Sequence, residues 1–170
     1  MKKKIWIPLL LVISVLLIAW RLSPHSLYAM LSVSQEDISS FNATVLESWP
    51  QDGKPAHAAY KMEQVPQDEE PFSAFLSILE SSDYRADFRN LLPWAVSSVE
   101  SGSHSSNTSA SVSLYLDGVE DGRHISLDLL DSTTLAVRLP GRDGFLVFHP
   151  TDRGLILDLA NFVKAHGTEQ

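Results

Sequence analysis

Three consecutive segments in the second half of the chain alternate apolar and polar residues, and this pattern limits the possible folds more than any other feature. Successive side chains of a β-strand point to opposite faces, so the alternation predicts strands with one buried face. Asp-Gly and Pro-Gly sequences separate the segments, as is typical of tight turns. With a further strand at Phe145 to Phe148, the sequence predicts an antiparallel meander of four strands. The apolar positions are Val112, Leu114, Leu116, Ile125, Leu127, Leu129, Leu135, Val137 and Leu139.

Two more strands and two helices are predicted around the meander. β-Branched and aromatic residues indicate a strand at Ile38 to Trp49, and a turn leads from it to an antiparallel partner at Ala56 to Val65. Apolar residues at helical spacing predict a helix around Phe72 to Leu79. A last helix is predicted to open at Pro150 and to end at Gly167, the positions that proline and glycine prefer at helix termini.

The resulting order of elements is β-β-α-β-β-β-β-α. It predicts an α+β domain over residues 38–167, in which the two helices pack on an antiparallel sheet. Within this domain, residues 97–111 are rich in serine and are predicted to form a flexible loop.

The N-terminus predicts a membrane anchor. Residues 5–22 are predominantly apolar and have about the length of a single transmembrane helix. The three lysines within residues 1–4 favour a cytoplasmic tail, which places the domain outside the cytoplasm and makes residues 23–37 a juxtamembrane spacer. The alternative is a signal peptide cleaved after Ser34. Its small residues, Ser32 and Ser34, lie far behind the apolar run, so the uncleaved anchor is the preferred interpretation.

Cysteine usage and charge exclude several classes of function. The chain has no cysteine, which rules out disulfides, thiolate metal sites and cysteine nucleophiles, and an exported domain of this kind is typical of bacteria. Removing the four basic residues that flank the apolar run from the total of 13 leaves 9 against 21 acidic residues, a net charge of −12. Such a body is repelled by phosphate backbones and by anionic lipid head groups, so nucleic-acid binding is excluded.

The most site-like cluster of polar residues is His149-Pro-Thr-Asp152, at the predicted junction of the last strand and the last helix. The preferred interpretation is structural: Pro150 starts the helix, Asp152 complements its dipole, and His149 or Thr151 caps backbone N–H groups. Trp94, behind a proline, is either a plug at the end of the core or an exposed anchor for a partner. Trp94, His149 and Asp152 are therefore weak candidates for partner binding.

Other motifs point to no chemistry. The acidic segment from Asp117 to Asp128 lacks an oxygen ligand at its third position, Val119, and is interpreted as a hairpin turn rather than a calcium loop. The histidines show no HxH or HExxH spacing, and no nucleotide-binding or serine-hydrolase motif is present. The sequence therefore predicts neither a metal nor a cofactor, and it assigns no catalytic residue.

Taken together, these features predict a bacterial single-pass membrane protein whose extracytoplasmic domain is a non-enzymatic binding, sensing or accessory module of the immunity type. Its predicted partners are the lipid bilayer, through residues 5–22, and a protein or envelope component. Two alternatives stay open. One is an envelope hydrolase that uses His149 and Asp152, and the other is a purely structural envelope protein. The architecture also resembles small single-pass proteins of Gram-positive bacteria, a likeness that carries no activity with it.

Overall fold

The computed structural model describes residues 3–51, 54–91, 107–117 and 124–170. Over these residues the chain forms four α-helices and one nine-stranded antiparallel sheet, which confirms the predicted α+β class. The helices are α1 (Lys3–Arg21), α2 (Leu27–Leu31), α3 (Glu70–Glu80) and α4 (Leu155–His166). The strands are β1 (Pro24–His25), β2 (Ile38–Gln51), β3 (Lys54–Pro66), β4 (Tyr84–Ala86), β5 (Thr108–Leu116), β6 (His124–Asp131), β7 (Thr134–Arg138), β8 (Leu146–Pro150) and β9 (Thr168–Glu169).

The sheet contains both predicted groups of strands. Its order is β1-β4-β8-β7-β6-β5-β2-β3-β9, so β5 to β8 form the predicted meander and β2 and β3 form the predicted pair. β2 joins the two groups because it pairs with β3 on one side and with β5 on the other. The short strands β1, β4 and β9 add to the two edges and were not predicted, since two or three residues are too few to show a periodic pattern.

One face of the sheet carries the core. Ile125, Leu127 and Leu129 of β6 are all at most 1% exposed, as their alternation predicts. In β3, Met62 and Val65 are also buried although they are three positions apart and would face opposite sides of a regular strand. A shift of register in this part of the β2–β3 pair, with Gln64 at a positive φ of 48°, places both on the core face.

Helices α3 and α4 pack on this face through aromatic and aliphatic side chains. Phe75 of α3 stacks on Phe41 of β2 with ring centroids 4.1 Å apart, and both rings are fully buried. Phe162 of α4 lies 5.8 Å from Phe75 and is only partly buried. The two helices thus share one aromatic cluster with the sheet, as the order of elements predicts.

The predicted spacer at residues 23–37 needs a correction. Leu27 and Leu31 occupy successive turns of α2 and are 0% and 2% exposed, because both pack into the core. β1 pairs with β4, with Pro24 opposite Arg85. This segment is therefore part of the folded domain, which begins well before residue 38.

The start of the last helix also differs from the prediction. Pro150 does not open α4; it ends β8, opposite Tyr84 of β4. Pairing with β4 extends the strand this far, and the N–H of Thr151 continues it by donating to the carbonyl of Asp83 at 2.8 Å. A short turn follows, and α4 begins only at Leu155.

The last residues of the predicted serine-rich loop belong to a strand. β5 begins at Thr108, and Ser109 and Ser111 lie within it, opposite Leu46 and Thr44 of β2. Serine alternates here with buried Ala110 and Val112, which is the pattern of a strand with one polar face. Residues 97–106 of the predicted loop, and Trp94, lie outside the described residues.

Candidate functional site

The face of the sheet opposite α3 and α4 is polar, and we call it the open face. Thr44, Ser111, Asp128 and Ala136 lie directly opposite one another on four adjacent strands, so their side chains share this face. Two residues along β2 from Thr44, Leu46 is 50% exposed on the same side. The alternation that buries one face of each strand thereby builds a hydroxyl-rich surface on the other.

Asp128 is the charged centre of the open face. Ser111 donates its hydroxyl to one carboxylate oxygen at 2.6 Å, and Ser126 donates to the other at 3.3 Å. Beside it lies a shallow cavity of about 250 Å³, with Leu46, Ala136 and Phe145 in its lining. The carboxylate of Asp128, which would be the last ligand of a calcium loop, is therefore hydrogen-bonded to hydroxyl groups. Most of the hairpin turn, residues 118–123, lies outside the described residues.

A second polar cluster joins His149 to Asp87 and Arg89 where β4 pairs with β8. Arg89 donates to both carboxylate oxygens of Asp87, at 3.0 Å and 2.9 Å, and Nε2 of His149 lies 3.1 Å from the second oxygen. The side chain of Asp87 is only 10% exposed. Hydrogen bonding to Arg89 holds the pKa of Asp87 well below its usual range, with His149 contributing less.

The geometry differs from the predicted helix cap at His149, whereas Asp152 lies beside the start of α4, near its predicted position. His149 caps no helix: its Nδ1 faces the carbonyl of Thr133 at 2.8 Å, and its Nε2 faces Asp87. Asp152 accepts the N–H of Gly154 at 2.7 Å, and its own N–H donates to Ser82. The hydrogen bonds of these two residues therefore lead to different partners.

The same contacts limit what His149 can do chemically. A backbone carbonyl and a carboxylate only accept hydrogen bonds, so each ring nitrogen of His149 faces an acceptor within the protein. A general base needs an unprotonated nitrogen that points at the substrate, as in a Ser-His-Asp triad. In this arrangement both nitrogens are engaged within the protein, and Nε2 connects β8 to the residue that follows β4.

Sequence reasoning identified His149 but missed its partners. Asp87 and His149 are 62 positions apart, and only the pairing of β4 with β8, which sets Arg85 opposite His149, brings them together. Within the described ranges, no group of three or more His, Asp or Glu residues could hold a metal ion.

The surface of α1 is the most unusual feature of the described chain. Every residue from Leu9 to Arg21 is exposed, on all sides of the helix, and the large apolar side chains among them are 44–66% exposed. Among the helices of the described residues, none meets the length and apolarity that a membrane span requires. Water-exposed helices normally have one polar face, so this surface calls for a partner.

Comparisons of the chain with protein-family models, with curated proteins and with solved structures find no match.

Proposed function

We propose that this protein is a membrane-anchored, non-enzymatic binding module, held at the outer face of a bacterial membrane by its N-terminal helix. The observation that carries the proposal is the apolar surface of α1, which is exposed on every side from Leu9 to Trp20. A helix that is apolar all round is stable when apolar material surrounds it, as in a protein core or a bilayer. Lysines at the start of α1 and Arg21 at its end are typical of the two boundaries of an anchor.

The packing of α2 supports an anchor that stays attached. Cleavage after Ser34 would remove α1, β1 and α2 together, including the buried side chains of Leu27 and Leu31. Losing buried leucines leaves a cavity in the core and destabilises the domain. The geometry thus favours the uncleaved anchor over the signal-peptide alternative.

For the contact with a protein or envelope component, the open face is the best candidate. It offers hydroxyl groups around Asp128 and an exposed apolar side chain, Leu46, beside a shallow cavity. Hydrogen-bonding groups beside an apolar residue suit a modest-affinity contact, and attachment to a membrane raises the effective concentration of such a module near its target.

The anchor can be tested by introducing charge into α1. With Leu10→Arg and Leu17→Arg together, the full chain should pass from the membrane fraction to the soluble fraction after alkaline extraction. Each arginine opposes insertion by roughly 2.5–3.5 kcal/mol near the centre of a membrane helix. The readout is an immunoblot of both fractions from bacteria that express the variant.

The matched control places the same substitutions at leucines on the domain. Leu46 and Leu157 are 50% and 56% exposed, close to the 59% of Leu10 and Leu17. Leu46→Arg with Leu157→Arg should leave the protein in the membrane fraction. Equal release of both double variants, or recovery of the unmodified chain in the soluble fraction, would contradict the anchor.

The binding surface can be tested by photocrosslinking in intact cells. A photoreactive amino acid at Leu46, on the open face, should give a discrete adduct with a partner, because this position borders the proposed contact. The same amino acid at Leu157, on the outer side of α4, is similarly exposed and should give none. Adducts at Leu157 alone would show that the interface lies on the side of α3 and α4. Equal labelling from both positions would show that there is no defined interface.

A further inference from the structure

A cavity of about 400 Å³ lies where α1 meets the domain. It opens between the end of α1, the helix α2 and the loop that joins β7 to β8. Its volume is in the range of small-molecule sites. Its lining includes the basic residues Arg21, His25 and Arg142 and the apolar residues Met30, Leu146 and Phe148.

The rim of this cavity is positively charged although the domain is acidic. Arg21 and Arg142 are both exposed, and neither forms an ion pair with another described residue. The described residues that line the cavity include no Asp or Glu, and Asp143, next to Arg142, is not one of them. Two guanidinium groups at one opening, with no ion pair to the described part of the chain, favour an anion, and the planar guanidinium group suits phosphate oxygens.

Local structure fixes the position of Arg142. It lies in the turn between β7 and β8, where Gly141 and Gly144 have positive φ values of 74° and 81°. The N–H of Arg142 donates to the carbonyl of Leu139 at 3.2 Å, which closes the turn. Because the turn holds the backbone, the side chain of Arg142 is presented beside the end of α1.

The C-terminal end of α1 is also compatible with a bound anion. A helix C-terminus carries a partial negative charge, which by itself would repel an anion. Here the carbonyl of Trp20 accepts hydrogen bonds from the hydroxyl of Ser23 at 2.5 Å and from Nε2 of His25 at 3.1 Å. These two donors satisfy the exposed carbonyl, and Arg21 adds a positive charge at the same place.

The inner wall of the cavity is apolar. Leu146 and Phe148 of β8 are 9% and 8% exposed, and Met30 of α2 is packed against the same core. An inorganic anion would make no use of this wall. A ligand with a phosphate group next to an apolar chain would use both the rim and the wall.

We propose that this cavity binds the phosphate group of an anionic phospholipid, with the phosphate at Arg21 and Arg142 and the start of an acyl chain against Phe148. This inference rests on the proposed membrane anchoring, because an inserted α1 would set the cavity at head-group level. The acidic domain as a whole is repelled by anionic lipids, so the local pair of arginines is what makes the contact favourable.

The experiment is native mass spectrometry of the detergent-solubilised full chain with added phosphatidylglycerol. The unmodified protein should carry one bound lipid, and Arg142→Gln should weaken that binding about tenfold, as expected for one lost hydrogen-bonded charge. Arg153→Gln removes the same charge from an exposed turn elsewhere and should change nothing. Equal weakening by both variants, or no lipid bound to the parent, would overturn the proposal.

Two further arms identify the source of the phosphate. Inorganic phosphate at the same concentration should not displace the lipid, because it leaves the apolar wall empty; displacement would mean a free-phosphate site and would overturn the lipid assignment. Thermal melting of Arg142→Gln should match that of the parent, which separates lost binding from lost folding. Because the lipid is added in detergent, the binding measurement does not depend on membrane insertion. If the protein bound no lipid, the result of the extraction test of the anchor would still stand. If the unmodified chain were released from membranes in the extraction test, Arg142-dependent lipid binding would still be measurable in detergent.

Discussion

Replacement of Phe75 by alanine is expected to lower the free energy of unfolding by about 3–5 kcal/mol, the range for phenylalanine lost from a packed core. Phe75 is fully buried, and its ring stacks on Phe41 with the two planes only 10° apart. The alanine variant would leave a cavity between α3 and the sheet. Since a domain of this size has about 5–15 kcal/mol of total stability, the loss should be visible in urea unfolding of the detergent-solubilised chain.

The matched control for Phe75 is another phenylalanine. Phe88 is 64% exposed, so Phe88→Ala should change stability by about 0.5 kcal/mol or less. Phe162→Ala should fall between the two, because its ring is only partly buried against Phe75 and His166. If Phe75→Ala unfolded at the same urea concentration as the parent, α3 would not pack on the sheet and its apolar side would be available to a partner.

The fold was largely predictable because its long elements bury one face each. The meander shows period two over at least three consecutive apolar positions in β5 and β6, which are the longest strands of that group. α3 and α4 show the helical spacing for the same reason. The misplaced start of α4 came from Pro150, whose preference for helix starts was outweighed by the pairing of β8 with β4.

The candidate sites were much less predictable. Asp87 and His149 meet only through the pairing of β4 with β8, and neither residue lies in a short motif that would identify the other. Arg21 and Arg142 border one cavity although they are far apart in the chain. Such constellations depend on tertiary structure, and a sequence pattern read along the chain reports only local periodicity and turns. Trp94 lies outside the described residues and stays a prediction.

The predicted spacer failed for a related reason. α2 is one short helix, and its only sequence signal is the pair Leu27 and Leu31, four positions apart. Two apolar residues at this spacing are common in unstructured segments. Such residues form part of a domain only when they pack against an apolar surface, and the core of the folded domain provides that surface here.

Leu27→Ala is expected to lower the free energy of unfolding of the full chain by about 2–5 kcal/mol, the range for a leucine lost from a core. Leu27 is fully buried and belongs to the same cluster as the residues under α3 and α4. The measurement is urea unfolding in detergent, as for Phe75. Leu157→Ala is the matched control, because that leucine is 56% exposed on α4, and the change there should be close to zero.

This comparison decides whether residues 23–37 belong to the domain or only connect it to the membrane helix. A loss at Leu27 would mean that the domain cannot keep its stability without α2, and a chain cut after Ser34 would then lack part of its core. If Leu27→Ala unfolded like Leu157→Ala, the segment would be a tether after all. Removal of the first 34 residues would then leave a stable domain, and the cleaved signal peptide would become the better interpretation of the apolar N-terminus.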